Sequence, residues 1–182
     1  MTRGPTLPAH RPSRLPTPLD AFNAAPDDEA VALLLHCLHS PRWARRITEH
    51  RPYPDVDSLL AAADEATYDL SPGDLSEALA GECLPELPED TYSAAHTALT
   101  AAHAAYEAKF GHVFVIHLGS ATPAEALDRV LEGIRSRLTN DPDEERVVAA
   151  EELRRLAGGR LAEKLRGAGN CATSPNAPAP GK

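Results

Sequence analysis

The chain has 182 residues, 42% of them hydrophobic and only 4% aromatic, which allows one domain with a core of Leu, Ala and Val and suits packed helices better than sheets. Its formal net charge of −9 argues against a nucleic-acid backbone as partner, which needs clustered Lys and Arg, and leaves any anionic small molecule dependent on a local positive site. Cys37, Cys83 and Cys171 show no CxxC spacing, so neither a disulfide framework nor a zinc ribbon is indicated, and no apolar run approaches a membrane span.

Residues 1–18 are dense in proline and read as a disordered lead without the apolar stretch of a secretory signal. With cysteine use that fits a reducing compartment, this places the protein in the cytoplasm. The first helix is expected from about Asp27 to His39, with Val31, Leu34, Leu35 and Leu38 at spacings of three and four. Ser40-Pro41 is a cap followed by proline at the first helical position and opens a second helix through Trp43 and Ile47, which must stop before Pro52. A third helix covers about Asp57 to Ala66. Ser71-Pro72, with Asp74 near the positive end of the helix dipole, starts a fourth to about Ala80.

After a Pro- and Glu-rich loop, Glu82 to Asp90, a fifth helix is expected from about Thr91 to Phe110, stopped by Gly111. His112-Val113-Phe114-Val115-Ile116-His117 then has no second strand to pair with, so it reads as a buried extended segment whose backbone groups serve another purpose. Thr122-Pro123-Ala124-Glu125 is a capping box for a sixth helix to about Leu138. Asp141-Pro142-Asp143-Glu144 opens a seventh to about Leu165. Gly158-Gly159 inside it costs roughly 1 kcal/mol per glycine against alanine and marks a kink, a close backbone approach or a fraying end. Residues 167–182 read as a disordered tail. The expected architecture is a single all-α bundle of about seven helices over residues 19–166.

Arg160 stands out because it lies four residues after Leu156 and seven after Leu153, on the same apolar arc. An arginine there must be paired, snorkel to solvent or bind an anion. Trp43 reads as a core anchor. His36 and His39 share a helix face, but no zinc-ligand pattern accompanies them, so no metal site is expected. Phosphate loops and serine-nucleophile elbows are absent.

Several ordered pieces together resemble the 2-oxo-4-hydroxy-4-carboxy-5-ureidoimidazoline (OHCU) decarboxylase family. They are Phe22-Asn23-Ala24, Leu34 to Trp43, Arg51-Pro52-Tyr53, Asp74 to Leu79, Tyr106 to Phe114, Arg137 to Glu145, and Glu151 to Leu161. The resemblance implies an all-α homodimer of uric acid breakdown, with no cofactor, that removes carbon dioxide from an anionic ureide and delivers a proton to one face to give (S)-allantoin. It also implies that Phe114, Val115, Ile116 and Arg160 hold the substrate. The family's His-Pro-x-x-Gly motif is replaced here, with Glu82 at the histidine position, and its Ser-x-x-Glu-Gln element is missing. Two candidates for the acid–base role follow. Glu82 must be held protonated to act as donor, whereas His117, beside the substrate-holding segment, can donate near neutral pH. His103 replaces the usual asparagine. The alternative is a family member that has lost catalysis and binds a ureide or another protein.

Overall fold

The computed structural model describes residues 16–84 and 93–166, with 93–96 described by their backbone alone. These residues form eight helices and no strand: α1 (Pro18–Ala24), α2 (Asp27–Leu35), α3 (Pro41–Glu49), α4 (Val56–Tyr68), α5 (Pro72–Ala80), α6 (Ser93–Phe110), α7 (Pro123–Arg137) and α8 (Pro142–Arg166). The all-α architecture is as expected, with one more helix than the sequence reading. The bulk of the lead, the tail with Cys171, most of the Pro- and Glu-rich loop and the expected start of α6 at Thr91 lie outside the described residues. No helix among the described residues is long and apolar enough to cross a membrane.

The extra helix is α1. Thr17 and Asp20 form a reciprocal capping box around Pro18, the same device that opens α5 at Ser71/Asp74 and α7 at Thr122/Glu125. Its signal was hidden by the prolines just before it. Arg51 donates to the carbonyls of Phe22 and Ala25 and pairs with Asp27, while Asn23 exchanges two hydrogen bonds with the Tyr53 backbone. Two of the family-like pieces, Phe22-Asn23-Ala24 and Arg51-Pro52-Tyr53, are thus halves of one latch between α1 and the end of α3.

Helix α2 ends at Leu35 rather than His39. The chain turns there, with the Ser40 N–H donating to the Leu38 carbonyl, and swings the Ser40 hydroxyl under the Trp43 N–H to cap α3. Trp43 is fully buried, and its indole N–H donates to the Ala63 carbonyl of α4 at 2.8 Å. At the other end of the chain, α8 runs unbroken through Gly158-Gly159 to Arg166. The glycines therefore do not end it.

Two apolar clusters fill the interior. The larger joins α1 to α5 with the inner face of α8, where Ala149, Leu153, Ala157, Leu161 and Leu165 recur every four residues. The smaller holds Tyr106 of α6, Val130 and Ile134 of α7, and Phe114. Residues 112–117 run extended between them. Val113 and Val115 face the larger cluster, while Phe114 and Ile116 face the smaller. Period-two alternation in an extended chain explains how a lone segment buries both faces.

Candidate active site

A cavity of about 410 Å³ opens where the extended segment, the residues after α5 and one face of α8 meet. Its walls include Glu82, Cys83, the run Phe114 to Gly119, and Leu156, Gly159, Arg160 and Glu163. The four α8 residues fall at spacings of three, four and seven, which is one helical face. All six residues singled out in the sequence, Glu82, Phe114, Val115, Ile116, His117 and Arg160, therefore line one cavity.

At its floor, Arg160 and Glu82 form a two-pronged ion pair. Arg160 Nη1 donates to Glu82 Oε1 at 2.8 Å and Nη2 to Oε2 at 2.7 Å, while Nη1 also donates to the Cys37 carbonyl at 3.1 Å. The Glu82 side chain is 2% exposed and that of Arg160 is 35% exposed. The hydrogen bonds to Glu82 hold the guanidinium pKa above its usual range. With both oxygens accepting from a cation, Glu82 is built as a counter-ion. Its position depends on Gly81, where a Cβ would come within 2.4 Å of the His39 side chain. His39 is thus a packing residue under the Glu82 turn, and His36 bonds to the Ala32 carbonyl of its own helix. Burial raises the pKa of the nearby Cys37 thiol.

His117 is half-buried and lines the same cavity. Its backbone N–H donates to Glu152 Oε2 of α8 at 2.6 Å, and its ring lies over Gly159, where a Cβ would sit 3.0 Å from the imidazole Cε1. Of the readings open for the glycine pair, close approach is the one realised at Gly159. On the other side of the segment, a Cβ on Gly133 of α7 would lie 3.0 Å from the Phe114 ring. Two helices thus use a glycine each to admit the segment.

A charged group that sequence reading missed sits behind the segment. Arg137 is buried, donates to the Val115 carbonyl at 2.7 Å and to Glu145 Oε1 from both Nε and Nη2, and stacks 4.6 Å from the centre of the Phe114 ring. Tyr106 also bonds to Glu145, and Asn140 donates to its other oxygen at 2.9 Å. Burial, followed by that carboxylate contact, pushes the Tyr106 phenol up. The network is closed, so a fully desolvated ion pair is tolerable. One signal was available: Arg137 follows Val130 and Ile134 at helical spacing, the pattern that drew attention to Arg160. The Val115 carbonyl accepts from Arg137, which ties the segment to α7. Next to Phe114, His103 is buried with its Nδ1 unpartnered among the described residues, and burial lowers its pKa.

A partly polar cavity in an all-α bundle, with an imidazole and a guanidinium among its lining groups, defines a site for a small polar molecule. Within that class the chain belongs to the OHCU decarboxylase family, whose model matches residues 23–98 and 86–162. Its fold is shared with two solved structures. A crystal structure of (S)-allantoin synthase superposes with a TM-score of 0.65 at 21% identity, covering 82% of this chain and 54% of that one. A crystal structure of OHCU decarboxylase in the presence of (S)-allantoin gives a TM-score of 0.60 at 20% identity, covering 78% and 99%. The chain thus spans about half the length of the (S)-allantoin synthase it resembles. No curated protein is significantly similar to it in sequence.

Proposed function

We propose that the cavity is a ureide site and that the protein decarboxylates a ureidoimidazoline carboxylate, OHCU, to (S)-allantoin without a cofactor. The observation that carries this reading is the gathering of His117, Arg160 and the Phe114–Ile116 segment around one cavity in a chain of this family. Breaking the bond to the carboxylate releases neutral carbon dioxide and leaves an electron pair that the conjugated ring of the substrate holds. A proton must then reach that carbon from one side only. His117, fixed at its backbone by Glu152 and seated against Gly159, is the donor. Positioned proton transfer of this kind contributes about 10²- to 10⁴-fold in rate. Arg160 offers N–H donors to the ring and ureide carbonyls.

The test uses freshly generated OHCU, followed by circular dichroism with and without protein. Decarboxylation by this chain gives faster decay and an optically active product. Decay at the buffer rate with a racemic product removes the activity. In that event a second reading stands, favoured by the Glu82–Arg160 ion pair: a family member that binds a ureide and does not turn it over.

A further inference from the structure

The ion pair at the cavity floor poses a problem for an anionic ligand. A guanidinium presents one end-on fork, formed by Nη1 and Nη2, and one side-on pair, formed by Nε and Nη2. Here both prongs of the end-on fork are taken by the Glu82 carboxylate, and the second Nη1 hydrogen goes to the Cys37 carbonyl. The positive charge is therefore already neutralised inside the protein. Glu163 at the rim adds a second carboxylate facing the same space. A ligand carboxylate brought to Arg160 would share one cation with Glu82 and be repelled by it.

We propose that Glu82 is a specificity-determining residue: a built-in carboxylate that fills the end-on fork of Arg160, neutralises its charge against carboxylate ligands and leaves the remaining Nε and Nη2 donors for a neutral ureide or amide carbonyl. The ureide part of this inference rests on the function proposed above. The closing of the fork does not, since it follows from the ion pair alone. Glu82 is nearly inaccessible while Arg160 is about one-third exposed, so an entering ligand meets the donors and not the acceptor. For a decarboxylation substrate the consequence is orientational. Its carboxylate turns away from Arg160, and its carbonyl edge turns to the guanidinium. That suits the chemistry, because a cation gripping the carboxylate stabilises the charged ground state more than a transition state in which the charge is leaving it.

Isothermal titration calorimetry of the full chain with neutral allantoin and with its ring-opened carboxylate, allantoate, tests the inference on wild type, Glu82→Ala and Glu82→Gln. Wild type is expected to prefer the neutral ligand by about tenfold or more, and both substitutions to shift the preference towards allantoate by about tenfold. Wild type binding allantoate as tightly as allantoin, or both variants keeping the wild-type preference, overturns it. Formate, which carries no ureide, separates the fork from the ureide reading, with the Arg160 Nε–H resonance as readout. Glu82→Ala is expected to gain a formate response that wild type lacks. If that response appears while neither ureide binds any variant, the ureide reading fails and the closed fork stands. If Glu82→Ala gains no formate response, the closed fork is wrong even where allantoin binds.

Discussion

Single residues here are constrained by what passes close to them, and Gly159 is the sharpest case. Alanine is the better helix former by about 1 kcal/mol, so Gly159→Ala is expected to leave the melting temperature unchanged or higher. Its new Cβ, 3.0 Å from the His117 ring, must displace that ring. The rate of OHCU decay is then expected to drop about tenfold, the scale for sub-ångström misplacement of a reacting group. A rate equal to wild type would show that the seat of His117 is irrelevant to turnover. His117→Asn removes the proposed donor itself and is expected to cost about 10²-fold or more in rate with the fold intact, checked by the same decay assay and by thermal melting. Arg137 offers a contrast, since its work is structural. Arg137→Met strands the buried Glu145 carboxylate and is expected to cost about 3–5 kcal/mol in urea denaturation, whereas Arg137→Met with Glu145→Leu recovers most of it. An equal loss in single and double variants would mean the network matters only through packing.

Among the elements, five helices begin with the same local chemistry, a cap followed by proline, and it makes their starts legible in the sequence. Ser40-Pro41, Ser71-Pro72, Thr122-Pro123 and Asp141-Pro142 are found where expected, and Thr17-Pro18 uses the identical device. Helix ends were less legible, because α2 is stopped by the turn that delivers Ser40 to the next cap, a demand of the following element. The caps also set an acid limit. Hydrogen bonds from the Ser71 hydroxyl and N–H hold the Asp74 carboxyl below its usual pKa, those from Thr122 do the same for Glu125, and those from Ser58 for Asp55. For a carboxyl whose pKa is lower folded than unfolded, the unfolded chain binds more protons as pH falls. The stabilisation is therefore complete above the unfolded value, near pH 4, and is lost as pH drops through the folded one. His103 works in the same direction at higher pH, since burial lowers its pKa and protonation favours the unfolded chain below about pH 6.5. Thermal melts from pH 7 to pH 3 should fall in both ranges, and His103→Leu should flatten the upper one. A melting temperature constant down to pH 4 would contradict this assignment for His103.

At the scale of the whole molecule, the cavity lies on the seam between two apolar clusters, and the extended segment is what joins them. Its burial on both faces could be read from the run Val113-Phe114-Val115-Ile116, and Arg160 from its place on an apolar arc. The partner of each charge could not, because Glu82 and Arg160 are 78 residues apart and no local pattern ties the turn after α5 to the last helix. The same holds for Arg137 and the Val115 carbonyl, 22 residues apart. Membership of the family fixes the scaffold, and the ion pair of Glu82 with Arg160 sets the charge of the cavity floor. The most direct measurement of the central claim is a crystal structure of the full chain with (S)-allantoin. The ligand is expected in the cavity between His117 and Arg160, with a carbonyl on the free guanidinium donors and the Glu82 ion pair intact. Allantoin bound elsewhere on the surface, or a cavity that stays without ligand at saturating concentration, would contradict it.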